Sequence, residues 1–203
     1  MGKPITRVYS IHSPGEGQPG GSDSGSGKLP TLDDFEAIYR QNYAPIWRFL
    51  VHLGVRKMDV PDVTHNVFLI AHRKLPEFQG RSSVRTWLCG IALRVGRDFM
   101  RSAPVRLEIS VDDTLEHETA DGEDSSEALR RKRRLALALR LLDALPTEQR
   151  EVFVLHELEQ LSGPEIAELM GTPANTVRSR LKRARSSFSE RLAELRAQGE
   201  LDV

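Results

Sequence analysis

An all-α chain of two small helical domains joined by a flexible acidic linker is predicted by three observations. Apolar residues recur at helical spacings of three and four through most of residues 31–198. A stretch near the C-terminus, Ser162 to Arg185 (SGPEIAELMGTPANTVRSRLKRAR), carries the cap and turn signals of two helices joined tightly. Residues 104–126 break the pattern with a run of acids. The expected organisation is therefore a tail over 1–30, a first domain over 31–103, a linker over 104–126 and a second domain over 127–198.

Charge is segregated along the chain. The 203 residues hold 29 Lys and Arg against 29 Asp and Glu, for a net charge of zero. Between Pro104 and Glu127, however, nine acids (Glu108, Asp112, Asp113, Glu116, Glu118, Asp121, Glu123, Asp124, Glu127) face the single base Arg106, which leaves the remainder net basic. A basic remainder suits a polyanionic partner. Cys89 is alone in an apolar helical run, so no disulfide framework forms and a reducing compartment is expected. His65 and His72 lack a further Cys or His at metal-ligand spacing, so no metal site is predicted. No apolar run is long enough to span a membrane and no signal-peptide core is seen. The start Met1-Gly2-Lys3-Pro4-Ile5-Thr6 fits a myristoylation pattern that is short enough to arise by chance.

The tail is rich in Gly, Ser and Pro and has no apolar stripe. From Thr31 a helix is predicted, with Asp33 and Asp34 in its first turn and Phe35, Ile38 and Tyr39 on one face. Pro45 predicts either a kink or a break, with the pattern resuming at Ile46, Phe49, Leu50 and Leu53 and ending at Gly54. Asp59 is the expected cap of the next helix, whose inward stripe is Val63, Val67, Ile70 and Ala71. Asp62, His65, Asn66, Leu69 and Arg73 share its other face, and an apolar Leu69 among polar neighbours suits either a partner surface or a plain solvated helix. A loop from Pro76 leads to a helix capped near Ser83, with Val84, Leu88, Ile91 and Val95 inward. Arg94, Arg97 and Arg101 form a basic stripe on it that suggests DNA, although Asp98 is placed to pair with Arg94. Trp87, one turn nearer the loop, is more often core than a base-stacking platform. Pro104 should stop this helix.

The second domain opens with a helix from about Glu127 to Ala144, with Leu135, Leu139 and Leu142 inside. Leu145-Pro146 separates it from a helix over Thr147 to Leu158 carrying Val152, Leu155 and Leu158 inward. Ser162 and Glu165 then have capping-box spacing, and Gly171 supplies the left-handed residue that ends the short helix. Thr172 is the expected N-cap of the last helix, with Pro173 at its first position. Val177, Leu181, Ala184 and Phe188 make its buried stripe. The opposite face carries Arg178, Ser179, Lys182 and Arg183, flanked by Arg180 and Arg185, with no acid from Ala174 to Arg185. Such a helix fits the major groove, where Arg and Lys donate to guanine O6 and N7. A solvated basic face is the plainer alternative, but it would carry compensating acids one turn away.

Two stretches resemble the sigma-70 family of bacterial transcription initiation factors, in its extracytoplasmic-function group. DVTHNVFLIAHRKLPEFQGRSSVRTWLCGIALRVGRDFMR is similar to the family's second conserved region, and LPTEQREVFVLHELEQLSGPEIAELMGTPANTVRSRLKRAR to its fourth. The resemblance implies a cytoplasmic bacterial protein that binds core RNA polymerase. It would read the −35 element of double-stranded promoter DNA with its C-terminal domain, and the opened −10 strand with its N-terminal domain. It implies no catalytic residues and no cofactor, and it implies an anti-sigma protein as a further partner. By position, Thr176, Arg178, Ser179, Lys182, Arg183 and Arg185 fall on the −35 side, with Thr176 near backbone phosphate. Phe78, Arg81 and Ser82 fall in a loop resembling the family's pocket for a flipped −10 base, with Arg94, Arg97 and Arg101 beyond it. Asp62, His65, Asn66 and Leu69 fall on the polymerase-binding helix. His65 and Asn66 replace a Gln and an acid usual there, and Arg94 replaces a common Asn, exchanging a group that donates and accepts for one that only donates. The alternatives from other classes are a stand-alone helix-turn-helix regulator and an interaction protein that does not read DNA.

Overall fold

The computed structural model describes residues 29–102 and 125–198. The predicted tail and acidic linker, and the stop expected at Pro104, therefore fall almost wholly outside the described residues. Within them the chain is helical, with no strand. Its helices are α1 (Phe35–Leu53), α2 (Val60–Lys74), α3 (Val84–Ser102), α4 (Ser125–Asp143), α5 (Thr147–Phe153), α6 (Gly163–Met170) and α7 (Ala174–Ala197).

Helices α1, α2 and α3 pack on one another in a three-helix unit. Pro45 lies inside α1 without dividing it, so the continuous reading holds. At its end Gly54 takes φ 100°, a left-handed cap that a side chain resists, and its amide donates to Leu50 and Val51 carbonyls. The predicted stripe of α2 is buried at Val63, Val67 and Ala71, with Ile70 half-buried, and is widened by Thr64 and Phe68. Leu88, Ala92 and Leu93 of α3 are fully buried against it. Truncating one of these leucines to Ala should cost about 2–5 kcal/mol, the range for a core cavity.

Two cap expectations are corrected. Asp59 sits at the N-cap of α2 but caps nothing with its side chain, because Arg56 Nε donates to its carboxylate at 2.6 Å. Thr172 is not the N-cap of α7. Pro173 holds that position with extended ψ of 140°, and its carbonyl accepts from the amides of Thr176 and Val177. The proline's fixed φ sets the entry angle of the helix, and no side-chain cap is made.

In the second unit α4, α5 and α6 all pack against α7. Of the α4 leucines, Leu141 and Leu142 are buried and Leu135 and Leu139 only half-buried. The helix predicted through Leu158 changes pitch: after Phe153 the chain widens into a π turn, Val154–Leu158, in which the Glu159 amide donates to the Val154 carbonyl at 3.0 Å. That widening rotates the following side chains off the stripe set by α5, and Leu158, expected inside, is 42 % exposed. The Ser162–Glu165 capping box forms as predicted, with the Ser162 amide donating to Glu165 Oε2 at 2.8 Å and the Glu165 amide to Ser162 Oγ at 3.4 Å. Gly171 closes α6 at φ 61°.

The two units touch. α1 packs against α5 and the π turn, and their buried residues form one continuous apolar cluster.

Candidate nucleic-acid interface

The outer face of α7 follows from its buried one. With Val177, Leu181 and Ala184 buried and Phe188 stacked on Phe153 (centroids 4.8 Å apart), the opposite side must face solvent. Arg178, Ser179, Lys182 and Arg183 are all exposed there. No ion pair ties Arg178, Lys182 or Arg183 to another described residue. Ser179 Oγ donates to the Thr176 carbonyl at 2.9 Å, so in this rotamer its hydroxyl is left to accept. Thr176 is half-buried at the start of the helix.

The flanking arginines are anchored. Arg180 pairs with Glu148 of α5, and Arg185 Nη2 lies 2.6 Å from Glu157 of the π turn. These acids sit 32 and 28 positions away, so no local spacing rule exposes them. Their effect is to fix the helix's rotation with its edges while its centre stays open.

The α3 cations are arranged differently. Arg94 is exposed, but Arg101 pairs with Asp98, correcting the expected Arg94–Asp98 pair. Arg97 reaches into the second unit, where its Nε and Nη2 each donate at 2.6 Å to the Glu151 carboxylate, raising the guanidinium pKa. Arg85 likewise donates to Glu159 at 2.8 Å. Phe78, Arg81 and Ser82 lie on the loop before α3, Phe78 half-buried with its ring 5.1 Å from Trp87 and the other two exposed. Trp87 is thus partly core. Phe78, Arg81 and Ser82 form one cluster at the start of α3, and Arg94, Arg97 and Arg101 form another. At 1.5 Å per residue Arg94 stands roughly 15 Å along the helix from Val84.

On α2, Asp62, His65, Asn66 and Leu69 are all exposed, Leu69 at 44 %. Met58, 79 % exposed in the turn before α2, stands one helical turn ahead of Asp62. Sequence reasoning missed it. The signal that could have found it is an apolar residue four positions before a polar stripe.

Among the described residues no group of His, Cys, Asp and Glu could hold a metal, and no helix is long and apolar enough to cross a membrane. Burial, then the nearby Glu159, pushes the Cys89 thiol far up, so it remains a protonated core group.

A three-helix unit followed by a helix-turn-helix unit is the order in which known proteins match this chain. Residues 38–104 match the Sigma-70 region 2 family model and residues 135–188 the Sigma-70 region 4 model. The ECF RNA polymerase sigma-E factor of Escherichia coli K12 is 33 % identical over 153 residues, covering 72 % of this chain and 80 % of that protein. The probable RNA polymerase sigma-C factor of Mycobacterium bovis is 34 % identical over 154 residues, covering 75 % and 80 %. The solved structure of CnrH in complex with the cytosolic domain of CnrY superposes with a TM-score of 0.60 at 25 % identity, over 81 % of this chain and 90 % of that one. The sigma factor RpoE of Bartonella quintana, solved with the anti-sigma factor NepR, shares the fold with a TM-score of 0.58 at 21 % identity, over 79 % and 98 %. Two regions, in order, on a shared fold and at this identity leave one assignment: the chain belongs to the sigma-70 family, in its extracytoplasmic-function group.

Proposed function

We infer that this chain is a transcription initiation factor, not itself an enzyme, that binds core RNA polymerase in the bacterial cytoplasm and directs it to promoters. The observation that carries the reading is the open cationic centre of α7, Arg178, Lys182 and Arg183, on the second helix of a helix-turn-helix within a Sigma-70 region 4 match. In this reading residues 127–198 read the −35 element and residues 31–103 read the −10 element, joined through 104–126. Arg178 and Arg183 donate to base edges, Lys182 adds charge in the groove, and Ser179 accepts from a base or bridging water. Thr176 and Arg185 hold phosphate. Phe78, Arg81 and Ser82 surround a flipped −10 base, and Arg94, Arg97 and Arg101 follow the strand.

Core polymerase is seated on Asp62, His65, Asn66 and Leu69 of α2. Met58 extends that face at its N-terminal end. An exposed apolar pair bracketing polar residues suits a protein partner better than a nucleic acid. An anti-sigma protein is expected as an antagonist, since both superposed solved structures hold such a factor or a cytosolic partner domain.

Run-off transcription with purified core polymerase tests this function. Transcripts from defined promoters should appear only when both proteins are present. Sequence-specific regulation by the chain without polymerase would favour the stand-alone regulator.

A further inference from the structure

The loop before α3 is tied at both ends and covered in its middle. At its start the Phe78 amide donates to the Leu75 carbonyl at 3.0 Å, and the Phe78 ring lies against Trp87. At its end Ser83 Oγ accepts from the Thr86 amide at 3.0 Å, which caps α3. Between these ties Gly80 takes φ 68°, a left-handed conformation that favours glycine, and Leu29 from the segment leading into α1 sits on it. The seat has no room for a side chain: a Cβ at Gly80 would stand 2.5 Å from Leu29 Cδ2. Leu29 is itself held in place. Pro30 restricts it to extended backbone, and the next residue, Thr31, is locked by Asp34, whose carboxylate accepts from the Thr31 amide at 2.7 Å and from its hydroxyl at 2.8 Å. Yet Leu29 is 50 % exposed, so it is not a core residue of the three-helix unit.

We propose that Leu29 is a positioning residue for −10 recognition: by packing on the bare backbone of Gly80 it holds the loop that carries Arg81 and Ser82 in the arrangement that accepts a flipped base. The proposal rests on the reading of that loop as the −10 pocket. A flipped base is read by hydrogen bonds on its pairing edge, and such bonds discriminate only when the groups that make them are held in place. Arg81 and Ser82 are both exposed and follow a glycine, so their own surroundings constrain them little. Leu29 supplies the constraint from outside the loop, through a stiff Leu-Pro-Thr segment anchored at the start of α1. Without it the loop would spend less time in its competent form, and apparent affinity would fall by that fraction. A looser pocket would also admit bases that the ordered one rejects.

The test uses the full chain with core polymerase, on a promoter recovered from transcripts that the wild-type holoenzyme makes on genomic DNA. Run-off transcription is measured on single-base variants of its −10 element, with the −35 element kept constant. Leu29→Ala should lower the preference for the cognate base at one −10 position about fivefold, while thermal unfolding and selectivity over −35 variants stay as in wild type. Leu29→Met, which keeps a flexible apolar cover, should retain the preference. Gly80→Ala, whose methyl group displaces Leu29, should relax the same position, and Leu29→Ala added to it should cost nothing further, because both remove one contact. An unchanged −10 preference in Leu29→Ala overturns the proposal. So does a loss that is uniform across the −10 variants and accompanied by a lower unfolding temperature, which makes Leu29 merely structural, and so do additive losses in the double variant. Ser82→Ala and Arg81→Ala separate the proposal from its premise. If either shifts the −10 preference and Leu29→Ala does not, the loop reads DNA without Leu29; if neither shifts it, the −10 reading of the loop falls and the proposal falls with it.

Discussion

The two basic helices of this chain solve the same electrostatic problem in opposite ways. On α7 the acids Glu148 and Glu157 hold the flanking Arg180 and Arg185, and the central Arg178, Lys182 and Arg183 remain exposed. On α3 the acids Glu151 and Glu159 come from the other unit and hold Arg97 and Arg85 themselves. Anchoring acids within a domain pre-organise a reading face, because they set the helix's rotation without using its central donors. Acids borrowed from a neighbouring domain instead tie the helix to that domain. A count of cations per helix does not measure readiness to bind DNA.

The largest expected effect falls outside both helices and shows whether they act through a common partner. Asn66→Arg or Leu69→Arg should abolish co-purification with core polymerase while circular dichroism stays unchanged, since both side chains are exposed opposite the buried Val63, Val67 and Ala71. Retained co-purification would place the polymerase contact on another face.

Next in size is a pH dependence at the contact between the units, where His52 of α1 meets Arg150 of α5. Burial first, then the charges of Arg150 and Arg48, lower the His52 pKa from 6.5 to about 4. The folded state therefore favours neutral His52, and its contribution is complete above pH 6.5 and is lost as pH falls towards 4. The upper bound is about 3 kcal/mol for a shift of this size. Urea denaturation across this window should show wild type losing stability faster than His52→Gln on acidification, and parallel profiles would refute the assignment. Because a protonated His52 ring repels the Arg150 guanidinium, which also donates to the His52 carbonyl, acid should loosen the contact between the units.

On α7, Arg178→Ala and Arg183→Ala should each cost about 1–3 kcal/mol on the cognate −35 element and relax preference at one base pair. Binding by holoenzyme to a library of −35 variants reads this out. Uniform weakening across the library would mean that they touch only the backbone. The smallest effect belongs to Arg185. Its loss should weaken all sequences alike and lower the salt slope by about one unit, for one phosphate fewer. Since Glu157 already holds this guanidinium at 2.6 Å, the loss should be larger in a Glu157→Gln background, where the phosphate has no competitor. Equal losses in the two backgrounds would show that Glu157 does not compete.

Most of the fold was legible because its signals are local. The stripe of α2, the capping box at Ser162 and Glu165, and the left-handed closures at Gly54 and Gly171 all lie within one or two turns of the residues that announce them. The exposed faces of α2 and α7 followed from those stripes. The misses have local, geometric and non-local causes. The π turn moved Leu158 out of register, and no spacing rule anticipates a change of pitch. Asp59 was drawn to Arg56, and Pro173 displaced Thr172 as the cap. The decisive omission was the partnership of Arg97 with Glu151, 54 positions apart, which turns a cation that reads as available into one that is held.

The most direct test of the account is a footprint of one promoter by the free chain and by the holoenzyme, side by side. The account predicts that the holoenzyme protects both the −35 and −10 elements, whereas the free chain gives at most weak, salt-sensitive protection at −35 and none at −10. Tight protection of both elements by the free chain would contradict it, because polymerase would then not be needed.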